Sequence, residues 1–337
     1  MTSDQVKQLI SAGAFPQNSA NTDLIETHIS WILLSGDFAY KIKKPVHYSF
    51  LDFSTLEKRK FYCDREIELN KRLTEGIYLD VQAVIQQGDR ISIGENSGTI
   101  LDYAVRMTRM DSQKQMNVLL LANQITVTDL QKLARKIASF HQRTTVIEKK
   151  DPKEIQVKFK DLEKENEYLF RVGHADYCAI IDRAISSSDA FEEKFRPYFQ
   201  ERLASGFVRD GHGDLHCRNV FFLPEPQPFD CIEFNDDFRQ VDVLNDVAFL
   251  CMDLDYFEKE DLSNWFVNYY DNAMHGRKTW IEQQLFIYFK AYRANIRAKI
   301  NSLRAQSCQG AEADKYLVET GKYLQLLNRY LGLLFLR

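Results

Sequence analysis

The sequence lacks the markers of several large protein classes. Its six cysteines, Cys63, Cys178, Cys217, Cys231, Cys251 and Cys308, are scattered and contain no C-x-x-C pair. That argues for reduced thiols rather than a disulfide frame or a zinc site. Surplus positive charge is also absent: the net charge is −4, so no bulk field recruits nucleic acid or an anionic membrane. No run approaches the roughly 20 apolar residues that cross a bilayer. The opening "MTSDQVKQLI" has no basic start leading into an apolar stretch, so no signal peptide is expected and a cytoplasmic location is. No internal repeat or low-complexity segment is visible, and no G-x-x-x-x-G-K-S/T phosphate loop occurs.

The composition that remains is globular. Of 337 residues, 45% are hydrophobic and 27% charged, enough for a large core and two lobes. The first part, 1–110, reads as a sheet with one helix. "LIETHISWILLSGDFAYKIKKPV" forms two or three short strands with a turn at Ser35-Gly36-Asp37. In "FAYKIKK", Phe38, Tyr40 and Ile42 alternate with Ala39, Lys41 and Lys43, so one face is expected buried and the other to carry lysines. A helix follows, with capping-box spacing at Ser54 and Glu57 and a stop near Gly76. Glu66 lies on its stripe of Cys63, Ile67, Asn70 and Leu73, and an inward carboxylate needs a partner. After a further sheet the pattern changes near Met110, and 111–337 reads as mostly helical. Thr128 and Gln131 suggest a helix start, with a stripe of Leu130, Leu133, Ala134, Ile137, Ala138 and His141.

One short β segment interrupts these helices: "VRDGHGDLHCRNVFFLPEPQPFDCIEFND". It reads as a loop, a strand over 220–223, a Pro-Glu-Pro-Gln-Pro turn and a second strand in "PFDCIEF". Such a hairpin is expected to bring Asn219 towards Glu233, with Asp214 in the loop just before. Two oxygen ligands beside a free carboxylate suit Mg²⁺; the free carboxylate can orient a hydroxyl and accept its proton. Loops are commonly rich in Asp, Asn and Gly, so H-G-D means little alone. Its company is more specific. Asp214 and Asn219 have the spacing of the kinase H-R-D-x-x-x-x-N loop, and an A-x-K strand and a helix with an inward Glu stand upstream.

With these elements in this order, the sequence resembles the aminoglycoside phosphotransferase family, in particular an uncharacterised bacterial branch often fused to a P-loop ATPase-like domain. The matching stretches are "ETHISWILLSGDFAYKIKKPV", "FLDFSTLEKRKFYCDREIELNKRL", "LARKIASFH", "GHGDLHCRNV" and "CIEFNDDFRQVDVLNDVAFLCMDLD", within 26–255. The resemblance implies an α+β, bilobal protein-kinase-like fold with a small β-rich N-lobe and a larger, mostly helical C-lobe. It implies a kinase that moves the γ-phosphoryl group of ATP, with Mg²⁺, to a hydroxyl of a small molecule. The P-loop partner of that branch is not expected within this sequence.

The same resemblance assigns roles. Lys41 looks like the lysine that pairs the α/β-phosphates, Lys43 on the same face being the alternative, and Glu66 looks like the glutamate that orients it. Asp214 looks like the catalytic base, Asn219 like a Mg²⁺ ligand, and Asp246 like the later Asp that braces the loop. Glu233 stands where the family usually has the metal-binding Asp of I-D-x, and Asp236 is a candidate to share that role. His216 either donates to the transferred phosphate or packs the loop. No Gly-rich loop is present: "THIS" stands there, with Ser30 as the candidate phosphate contact and His28 either a contact or a packed residue. Met107 and Met110, near the hinge at 103–110, either line the adenine pocket or belong to the core.

The acceptor is not readable. Asp253, Asp255, Glu258, Glu260 and Asp261 form an acidic run that reads as a solvated face. Lys290, Arg293, Arg297 and Lys299 share one helix, a pattern more often surface than site. Neither a nucleic-acid nor a membrane partner is expected. Two alternatives stand beside the small-molecule kinase: a nucleotide-binding pseudokinase, and a protein kinase, for which no A-P-E-like segment follows Glu233.

Overall fold

A computed structural model describes residues 1–17, 22–95, 97–151, 153–274 and 277–335. It divides into two units. The first is Met1–Val118 with Arg218–Phe238, and the second is Leu119–Cys217 with Arg239–Arg337.

The first unit is a six-stranded sheet. In chain order it contains α1 (Ser3–Ala12), β1 (Thr22–Glu26), β2 (Ser30–Ser35), β3 (Phe38–Lys43), the two-residue strands β4 (His47–Tyr48) and β5 (Leu51–Asp52), and α2 (Leu56–Asn70). Then come β6 (Tyr78–Gln87), β7 (Arg90–Ile93) and β8 (Thr99–Thr108). The sheet order is β1-β2-β3-β8-β6-β7, antiparallel at every pairing.

Both faces of this sheet are covered. On one, Val6 and Leu9 of α1 pack with Trp31, Leu33, Tyr40, Ile42 and Val84. On the other, Cys63 of α2 packs with Ala39, Tyr78, Val105 and Met107. The alternation along β3 is as expected, but the lysine face is not open to water. It lies under α2, and Lys41 and Lys43 are both buried. The helix is capped one residue later than the Ser54–Glu57 spacing suggests, by Thr55, whose hydroxyl accepts from Lys58 N–H, and it ends at Asn70, well before Gly76.

The second unit is helical. It takes in the end of α3 (Met116–Leu121), then α4 (Val127–Arg143), α5 (Glu154–Lys160), α6 (Asn166–Arg171) and α7 (Ala175–Ala204). Strand β9 (Val208–Asp210) leads into the loop that carries Asp214. The hairpin β10 (Val220–Phe222) and β11 (Pro226–Pro228) belongs to the first unit, followed by the short α8 (Asp236–Arg239). The second unit resumes with β12 (Gln240–Asp242), α9 (Val243–Tyr256), α10 (Glu260–Met274), α11 (Trp280–Ser307) and α12 (Ala311–Leu333). Strand β12 pairs with β9, so the two ends of the excursion meet as a two-stranded ladder. The expected stripe of α4 is buried at every position, although its cap is Thr126 with Asp129 rather than Thr128 with Gln131. No helix among the described residues is long and apolar enough to cross a membrane.

Candidate active site

In the first unit the chemistry gathers under α2. A lysine ammonium buried away from water is costly unless paired, and here each is paired twice. Lys41 Nζ donates to Glu66 Oε1 at 2.8 Å and to Asp230 Oδ1 at 2.7 Å. Lys43 Nζ donates to Glu66 Oε2 at 2.6 Å and also to Glu233. Burial alone would depress Lys41, but Asp230, Glu66 and Glu233 outweigh it and hold the ammonium well above the ordinary lysine value. Burial likewise works against an ionised Glu66, yet its two lysines win and bring it down to about 2. Glu233 goes the other way: burial and the Glu66 charge raise it despite Lys43.

This arrangement differs from the expected one in two respects. The second strand of the hairpin is Pro226–Pro228, not the "PFDCIEF" stretch. Its register pairs Val220 with Pro228, and Phe229 N–H donates to Asn219 O at 2.9 Å. Across the hairpin, Asn219 is thus bonded to Phe229, the residue before Asp230. Glu233 is buried and bonded to Lys43, while Asp230 has a side chain 40% exposed. Asp236 lies at the start of α8 and bonds Arg65 at 2.6 Å.

Sequence reasoning missed Asp230. The signal was present, because Phe229-Asp230-Cys231 shows the same apolar–acid–apolar pattern as Ile232-Glu233-Phe234. Asp230 also has a left-handed backbone, φ 62°, which Asp tolerates better than most residues and which is often found at functional positions.

The other first-unit candidates are placed as follows. Ser30 is fully buried, and its N–H donates to Thr27 Oγ1 at 2.9 Å. The turn thus closes on itself, with Thr27 and His28 exposed. Met107 belongs to the core under α2.

In the second unit a carboxylate shapes the H-G-D loop. Asp246, from α9, accepts the N–H of His212 at 2.7 Å and of Gly213 at 2.9 Å, and His141 Nε2 lies 3.2 Å away. Burial opposes its ionisation, but His141 and the neighbouring His212 and Arg293 hold it near 2. Glycine is required twice here. A Cβ on Gly211 would stand 2.7 Å from Asp246 Oδ2, and Gly213 has φ 84°. The loop so fixed carries Asp214, whose side chain is 36% exposed and whose Oδ2 lies 3.4 Å from His216 Nε2. Burial would raise the Asp214 carboxyl, but His216, then Arg297 and His212, outweigh it and hold it well below the usual carboxylate range. His216 itself is buried, with its ring 5.3 Å from that of Phe249.

Two arginines read from the sequence as surface are buried instead. Arg293 donates through Nη1 to Gly213 O at 2.9 Å and through Nε to Asn245 Oδ1 at 2.7 Å. Arg297 donates to Tyr323 OH at 3.3 Å. The acidic run divides as well. Asp253 and Asp255 are buried, and Asp253 accepts Cys217 N–H at 2.9 Å.

No family model matches the chain. Over 310 residues it is 32% identical to an uncharacterised protein of Mycobacterium tuberculosis and to one of Mycobacterium bovis. Each match covers 90% of this chain and 60% of the relative, so the chain spans about 60% of the length of these curated relatives. Among solved structures it is similar to a choline/ethanolamine kinase family protein from Mesorhizobium loti, with a TM-score of 0.51 and 13% identity over 98% of this chain and 100% of that one. It is also similar to choline kinase from Cryptosporidium parvum, with a TM-score of 0.54 and 11% identity over 91% and 88%. Plasmodium vivax ethanolamine kinase gives a TM-score of 0.54 and 11% identity over 96% and 85%. The chain has the protein-kinase-like fold of these structures, with a sheet N-lobe and a helical C-lobe.

Proposed function

We propose that the protein is an ATP-dependent phosphotransferase that moves the γ-phosphoryl group to a hydroxyl of a small molecule. The observation that carries the reading is Lys41 Nζ, held between Glu66 at 2.8 Å and Asp230 at 2.7 Å. A lysine fixed in this way on a strand presents a point charge where nucleotide phosphates need one. Asp214 is the group that aligns the acceptor. Its carboxylate is kept ionised, so it can take the hydroxyl proton as the new O–P bond forms and the bond to the ADP oxygen breaks. His216 positions Asp214 from behind. Asp246 and Arg293 hold the backbone on which both stand.

The donor set fits a hard divalent cation. Asn219 and an acid of the 230–233 segment offer oxygen, and Mg²⁺ is usually held by one or two protein ligands plus phosphate. When bound, the cation would offset charge on the β- and γ-phosphates.

The test is direct. Mg-ATP at millimolar concentration should raise the thermal midpoint, because a ligand of the folded state stabilises it. ADP release should then rise when a pooled extract of hydroxyl-bearing metabolites is added. A thermal shift without any acceptor-stimulated turnover would favour the nucleotide-binding pseudokinase; no shift at all would remove both readings.

A further inference from the structure

Five arginines among the described residues are buried, and four of them are occupied. Arg59 pairs with Asp102, Arg202 with Asp242 and Arg239 with Asp210. Arg293 bonds Asn245 and Gly213 O. Arg297, one turn further along α11, is the exception. It is 9% exposed, yet no carboxylate stands within ion-pair distance of it among the described residues. Of its five N–H donors, Nε alone is used, on Tyr323 OH at 3.3 Å, with the Tyr323 ring 5.3 Å from the guanidinium. The two Nη groups have no partner among the described residues, and they are not enclosed, whereas the unpartnered Nη2 of Arg293 is. Burial works against the Arg297 charge, but Tyr323, Asp253 and Asp214 outweigh it. After His216, Arg297 is the next cation that keeps Asp214 ionised. The guanidinium and the carboxylate that aligns the acceptor thus act on each other, both within the second unit.

We propose that the acceptor is a small hydroxylated acid, and that the Nη groups of Arg297 take its carboxylate or phosphate while its hydroxyl meets Asp214. This rests on the phosphotransferase reading and names the class of acceptor. A buried cation without a counter-ion is costly. When its unused donors reach solvent, an anion from outside completes it, and the planar fork of a guanidinium suits the paired oxygens of a carboxylate or phosphate. An amino alcohol with no acid group does not fit, because its ammonium would face a like charge in a poorly hydrated setting. Tyr323 is a positioning residue: its hydroxyl and ring fix Nε and leave both Nη groups for the acid. The acid group binds and takes no part in bond making.

The test starts from wild-type protein and a deproteinised metabolite extract. The extract is split on an anion exchanger at about pH 10.5, where α-amino groups are neutral and amino acids are retained with the other acids. Transfer of labelled γ-phosphate from ATP to a new product should be stimulated by the retained fraction. Greater stimulation by the flow-through overturns the proposal. Stimulation by neither fraction brings down the phosphotransferase reading, and this proposal with it. With the retained fraction as probe, Arg297→Met should raise the concentration for half-maximal rate by about 10–100-fold, with the ATP KM and the maximal rate within about threefold. Arg297→Lys keeps a charge in place should the methionine variant not fold, and it should raise that concentration by about threefold or more. Tyr323→Phe should raise it by about two- to fivefold. A fall in maximal rate with that concentration unchanged would put Arg297 on the transferred phosphoryl group, and no change in either would make it a structural cation; each overturns the assignment.

Discussion

The cluster under α2 and the loop over α9 both bury carboxylates, but they satisfy them in different ways. Glu66 is held by two side-chain cations, at 2.8 and 2.6 Å. Asp246 is held by two backbone N–H groups and a histidine. The first solution keeps mobile charge in one place, which suits a site for phosphate. The second ties side chain to main chain, which suits a loop whose shape must not change. A third buried carboxylate has neither. Glu192 on α7 is 1% exposed, and Tyr288 OH, at 3.1 Å, is the hydrogen-bond donor it meets. Burial raises it to about 7.

The largest effect should come from Asp214, the residue proposed to align the acceptor. Asp214→Asn keeps the shape but removes the proton acceptor, and turnover should fall by about 10²–10⁴-fold with nucleotide affinity within a few-fold. Full turnover in steady-state assays would mean that the loop is scaffolding. Next, Lys43→Met should destabilise the fold by about 3–5 kcal/mol in urea titration, because Glu66 and Glu233 stay buried with half their cations gone. A change below ~1 kcal/mol would show that the cluster is wetter than its burial implies.

Glu192 gives a prediction of opposite sign. A carboxyl raised from about 4.5 to about 7 in the folded protein binds more protons folded than unfolded between those pH values. Stability should therefore fall as pH rises through that window, by at most about 3 kcal/mol. Glu192→Gln should remove the dependence, stabilising at pH 8 and not at pH 4. Smaller still is the acid limb from Asp246. Its folded value is near 2, below the ordinary value, so its contribution is present above about pH 4 and lost as pH falls towards 2. Asp246→Asn should flatten that limb and cost about 1–3 kcal/mol at neutral pH, read by thermal melts across pH.

Much of this was legible in the sequence. The stripe of α4, the alternation of β3 and the inward Glu66 follow from periods of 3.6 and 2, and the structure keeps all three. What periodicity cannot report is what covers a face. Nothing local to "FAYKIKK" says that α2 lies across its lysines, so the burial of both and the pairing of Lys43 with Glu233 were not legible there. Arg293 and Arg297 were misjudged for the same reason. The hairpin failed differently. Prolines were assigned to the turn, but Pro226 and Pro228 form the second strand. With that shorter strand it is Phe229 that bonds Asn219 across the hairpin.

The bond between Lys43 and Glu233 spans 190 positions of the chain. A lysine on the third strand thus waits for a partner made after the first half of the second unit has been synthesised. Until residue 238 emerges, the sheet unit holds two lysines and Glu66 without Asp230 or Glu233, and without its hairpin. Such distant contacts are slow to form, because the loop must close before they reward it. The first unit should therefore not mature before the first half of the second has left the ribosome. A fragment that stops at 217 should be loosely packed and quickly proteolysed.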